Sequence, residues 1–62
     1  MTKEQFNYGR GLIIRVNKFL TNQRTREDVY DLLDDTQLAF NEGRICREDY
    51  EWIMERLTPY IN

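Results

Sequence analysis

The 62-residue sequence predicts an all-α fold, a three-helix mini-domain with the N-terminal helix packed on an antiparallel αα-hairpin. Three observations carry that expectation. Apolar residues recur three and four apart along most of the chain. A glycine and the single proline stand just past the ends of two such runs. The link between the last two runs is so short that the helices it joins must be antiparallel neighbours.

The first helix is expected over about residues 2–21, because Phe6, Gly9, Ile13, Val16 and Leu20 share one stripe for more than three turns. A short strand is the rival, since "GLIIRV" is rich in β-branched residues and Gly9 and Gly11 each cost about 1 kcal/mol relative to Ala within a helix. The length of the periodic run favours the helix. Gly9 then lies on the buried face, where a missing side chain lets another helix approach closely, and Gly11 lies outside. The second helix is expected over about 26–42. Thr25 is a good N-cap with Asp28 three residues on. Glu27, Asp28 and Asp31 put negative charge at the positive end of the helix dipole. Val29, Leu32, Leu33, Thr36, Ala39 and Phe40 share a face, and Gly43 supplies the left-handed stop.

The third helix is expected over about 47–58. Cys46 occupies the N-cap position, Glu48 and Asp49 follow in the first turn, and Ile45 can staple onto Tyr50. Tyr50, Ile53, Met54 and Leu57 form its inner face until Pro59 ends it. On these residues, "GRICREDYEWIMERL" resembles the second half of SHOCT-type short helical hairpins. Gly43, Ile45, Glu48, Asp49, Tyr50 and Leu57 fit that pattern; Cys46 departs from the Thr or Ser of its cap, and the basic residue near Met54 is missing. The resemblance spans residues 33–57 and implies an oligomerising or interaction module. In size and style the whole chain resembles small accessory proteins of bacteriophages, many of which bind and inhibit a host protein.

Length allows one domain, residues 1–62, near the lower limit for folding without a staple. One cysteine excludes an internal disulfide, and the absence of histidine removes the usual zinc ligands. The opening "MTKEQFNYGRG" carries no apolar run, so neither export nor membrane insertion is expected, and a cytoplasmic setting suits the free thiol. The net charge of −2 hides an asymmetry. Residues 1–26 hold six Lys or Arg against one Glu, whereas residues 27–62 hold three against ten Asp or Glu.

The chemistry open to these residues is narrow. Glu27, Asp31 and Asp35 form an acidic stripe at helical spacing, read as a solvated face or a surface for a basic partner, including mimicry of nucleic-acid phosphates. EF-hand spacing is absent. Cys46 is the one conceivable nucleophile, with no histidine to act as its base and with Glu48 and Asp49 opposing a thiolate. No catalytic, cofactor-binding or metal-binding residue is expected, and the chain does not read as an enzyme.

Binding remains. Lys3, Arg10 and Lys18 cluster with Ile14 on one side of the first helix, and Arg24 and Arg26 continue into the loop. These are the possible nucleic-acid contacts of a small transcription-control protein. An acidic total and acidic neighbouring helices argue against that, and pairing with the hairpin is the simpler role for these cations. Tyr8, Leu12 and Phe19 widen the apolar arc of the first helix to about 160°. Leu38 points away from Leu33 and Phe40, and Trp52 lies about 160° from Tyr50 and Met54. Apolar anchors ringed by charge have the anatomy of a protein interface. The expected function is therefore a non-catalytic protein-binding module, a phage-type regulator or inhibitor that occludes its target. Its interface residues would be Trp52, Leu38, Tyr8, Leu12 and Phe19, and its partner another protein or a further copy of itself as a homo-oligomer.

Overall fold

A capping box opens the first helix. Thr2 accepts the Gln5 backbone N–H at 3.1 Å while the Gln5 carboxamide oxygen accepts the Thr2 N–H at 3.0 Å. This helix, α1, spans Lys3–Leu20 in a computed structural model that describes residues 1–21 and 27–61. "GLIIRV" is thus helical, and no strand occurs among the described residues.

The second helix, α2, spans Val29–Asn41 and begins later than expected. Asp28 is itself the N-cap, its carboxylate accepting the Tyr30 N–H at 2.7 Å. A carboxylate is among the strongest caps, so the helix starts at the residue after it. Thr25 lies outside the described residues. The end of α2 follows the sequence closely. Gly43 takes φ +72°, its N–H donates to the Phe40 carbonyl, and the Arg44 N–H donates to that of Ala39 at 2.8 Å. These are the two bonds of a Schellman motif. The third helix, α3, spans Arg47–Leu57, followed by a 3-10 turn at Thr58–Tyr60 that contains Pro59.

The chain runs up, down and up. Gln5 donates to the Gly43 carbonyl at 3.1 Å, joining the start of α1 to the α2–α3 turn. At the far end, Phe19 meets Tyr60 edge to face at 5.2 Å. Hence α1 is parallel to α3 and antiparallel to α2. Close contact with α3 is made at Gly9, where a Cβ would overlap the Asp49 carboxylate. This is the role its spacing predicts.

Leu12, Val16, Val29, Leu32, Ala39, Ile45, Ile53 and Leu57 form the buried core. One part of this arrangement departs from the periodicity. The stripe expected to face inward includes Phe6, which is 49% exposed, whereas Leu12 is 2% exposed. The buried line of α1, through Gly9, Leu12 and Val16, is rotated by about 45° from the expected one. Two contacts fix the rotation: Gly9 against Asp49 on α3, and Arg15 held by Glu27 and Asp35 beside α2. Leu12 is therefore a core residue and not part of the exposed arc, contrary to the expectation that it projects toward a partner.

Candidate interaction surface

Arg15 is where the acidic stripe meets the basic helix. Its Nε donates to Glu27 at 2.5 Å and its Nη2 to Asp35 at 2.7 Å. Burial alone would lower the pKa of the guanidinium, but the hydrogen bonds and charges of the two carboxylates outweigh it and raise the pKa above its usual value. Two of the three stripe acids are thereby used within the molecule, and Asp31 stays exposed. The remaining cations of the described part of α1 behave otherwise. Lys3, Arg10 and Lys18 are exposed and form no ion pair among the described residues. Among the described residues of α1, the pairing with the hairpin expected of Lys3, Arg10 and Lys18 is made instead by Arg15. The reason is geometric: Lys3, Arg10 and Lys18 lie on the arc of α1 turned away from the core. Arg24 and Arg26 lie outside the described residues.

That outward arc also carries apolar groups. Phe6 and Ile14 are about half exposed, at 49% and 50%, and the Arg10 guanidinium lies 5.5 Å from the centre of the Phe6 ring. Lys3, Phe6, Arg10 and Ile14 thus make a stripe of alternating charge and hydrocarbon, with Lys18 at its edge toward α2. Periodicity hid Phe6, because it was placed on the inner face; the exposure follows from the rotation of α1.

The other expected interface residues fall in different environments. Leu38 is 57% exposed on α2, among Asp31, Asp34 and Glu42. Tyr8 is partly exposed, with Arg44 5.5 Å from its ring centre. Phe19 is half-buried against the core and Tyr60. Trp52 is also half-buried, one side packed against the core and the other beneath the Arg56 guanidinium at 3.8 Å. Arg56 is anchored there by a 3.1 Å bond to the Trp52 carbonyl. The hairpin's inner face does not reach that flank of α3; the ring is covered by its packing on the core and by Arg56. The expectation that Trp52 stands out among charges on an outer face is therefore corrected: much of its ring is covered within the chain.

Cys46 holds the N-cap position with extended backbone and makes no side-chain cap hydrogen bond. Burial pushes its thiol pKa up, and the neighbouring Glu48 and Asp49 carboxylates add to the rise although the Asp49 N–H opposes it. Among the described residues, no three His, Cys, Asp or Glu side chains are grouped as metal ligands, and no helix is long and apolar enough to cross a membrane. A shallow open hollow of about 250 Å³ lies over Gly11, lined by Asn7, Tyr8, Leu12 and Arg15. Comparison with protein families, characterised proteins and solved structures finds no match to this chain.

Proposed function

We propose that this protein is a non-catalytic protein-binding module, a regulator or inhibitor of the phage accessory type that acts by covering part of a target's surface. One observation carries the reading: two large apolar side chains, Phe6 and Ile14, are half exposed on the outward face of α1 between cations that form no ion pair among the described residues. Burying the exposed halves of both would contribute, for each, about half of the roughly 1.5–3 kcal/mol that complete burial of such a side chain is worth. Lys3 and Arg10 beside them favour an acidic rim on the target, which speeds encounter and sets register. The raised Cys46 pKa fits a module without nucleophilic chemistry.

The same unpaired cations favour a second reading, a small nucleic-acid-binding protein using α1. A phosphate contact needs a free Lys or Arg, and α1 supplies Lys3, Arg10 and Lys18. One set of variants separates the two. Affinity capture from lysate of the source cell, at physiological salt, should retain a protein with the parent chain and lose it with Phe6→Ser/Ile14→Ser. Fluorescence anisotropy with labelled duplex and single-stranded oligonucleotides should show binding that disappears at that salt. Oligonucleotide binding that survives it, and is lost with Lys3→Ala/Arg10→Ala/Lys18→Ala but kept with Phe6→Ser/Ile14→Ser, would replace the first reading with the second.

A further inference from the structure

Beside the outward stripe, α1 and α2 together present a broad face whose parts match one another. At about 100° per residue, Asn7, Gly11, Arg15 and Lys18 lie within about 80° on α1, on the side toward α2. Asp31, Asp35, Leu38 and Glu42 lie within about 60° on the facing side of α2. The Arg15–Asp35 ion pair sets the two antiparallel helices level with each other. One turn toward the start of α1, the hollow over Gly11 comes level with Leu38. One turn the other way, Lys18 comes level with Asp31. At a rise of about 1.5 Å per residue, each pair agrees in height to within about 1.5 Å.

We infer that this face binds a second copy of the chain, about a two-fold axis parallel to the helices. That symmetry turns α1 of one copy onto α2 of the other while keeping every residue at its own height. Leu38 of each copy, 57% exposed alone, then enters the hollow over Gly11 of the other. Lys18 of each copy meets Asp31 of the other, so opposite charges face at one level on both sides of the axis. Self-complementarity of this kind is what a two-fold contact requires. Charge opposes the alternatives: α1 against α1 of a second copy sets Lys3, Arg10 and Lys18 against themselves, and α2 against α2 does the same with Asp31 and Asp34. Size is also consistent. A stable contact removes about 800 Å² from each partner, roughly a sixth of the 4625 Å² surface. The inference does not rest on the proposed target binding, which uses the outward stripe centred on Phe6 and Ile14.

Sedimentation equilibrium from micromolar to near-millimolar protein, at about 0.15 M salt, tests it. The parent should pass from monomer to dimer and stop there. Gly11→Leu puts a side chain into the hollow from a position where a Cβ has open space, with nothing within 4 Å. It should stay helical by circular dichroism and weaken the dimer at least tenfold, as should Leu38→Ala. Lys18→Glu and Asp31→Lys should each weaken it several-fold, to about tenfold for the two symmetry-related pairs together. The double charge swap should restore it. The swap leaves the apolar contacts in place, so it reads the register even where an apolar variant unfolds. A parent that stays monomeric throughout, growth beyond the dimer, or a dimer indifferent to Gly11→Leu and to the single charge changes would overturn the inference.

Discussion

Thr36 is fully buried in α2, and its hydroxyl oxygen has no hydrogen-bond partner among the described residues. A helical threonine usually bonds back to the carbonyl one turn earlier; here the side chain packs in the core without that bond. Leaving a buried hydroxyl unpaired costs about 1–3 kcal/mol. Thr36→Val replaces the oxygen with a methyl of nearly the same size, keeps the β-branch, and leaves helix propensity almost unchanged. The variant should gain about 1–3 kcal/mol, large against the 5–15 kcal/mol stability of an ordinary domain. In a chain this small each kcal/mol raises Tm by about 4–8 °C. Thr36→Ser separates the contributions, because it keeps the hydroxyl, removes a methyl and should lose about 1 kcal/mol. The assay is urea and thermal denaturation followed by circular dichroism at fixed, dilute protein concentration. Loss of stability on Thr36→Val would show that the hydroxyl is bonded after all, and the reasoning would fail.

Other substitutions test the packing in turn. Gly11→Ala should gain about 1 kcal/mol, whereas at Gly9 the new methyl displaces the Asp49 carboxylate from its seat on α1, which should offset that gain and leave Gly9→Ala at least about 1 kcal/mol less stable than Gly11→Ala. Equal effects in denaturant melts would refute the close approach of α1 and α3. Trp52→Ala should cost about 1–3 kcal/mol at every protein concentration, less than the 3–5 of a fully buried tryptophan and more than the 0.5 of a surface one. A change below 0.5 kcal/mol would return Trp52 to the outer face. The Cys46 thiol, with its folded pKa raised, keeps its proton at pH values where the unfolded thiol has lost it. Alkylation of the folded chain at neutral pH should therefore be slower than that of a free thiol. The stability this group contributes is present below the unfolded thiol pKa, about 8.5, and is lost as pH rises toward the higher folded value. Comparing parent and Cys46→Ser melts across alkaline pH checks the sign.

The sequence determined what depends on a few neighbouring residues. Gly43 ends α2 because a left-handed backbone there suits only a residue without a side chain, and that signal is local. The Thr2–Gln5 capping box is as local, and its S/T-x-x-Q pattern lies within four consecutive residues. Gly9 at the helix crossing and Leu38 on an outer face also follow from spacing along one helix. Which way α1 is rolled does not. Phe6 and Leu12 lie within an arc wide enough to turn either inward, and the choice was made by Gly9 on Asp49 and Arg15 between Glu27 and Asp35. Those contacts join residues distant in sequence, so periodicity within one helix carries no record of them. Trp52 was misplaced for the same reason: its cover comes from packing on the core and from Arg56, not from the hairpin face that its wheel position describes. The sequence by itself specified three amphipathic helices and their ends. Only the tertiary structure decided which degrees of each helix face water, because that depends on how three helices share one small core.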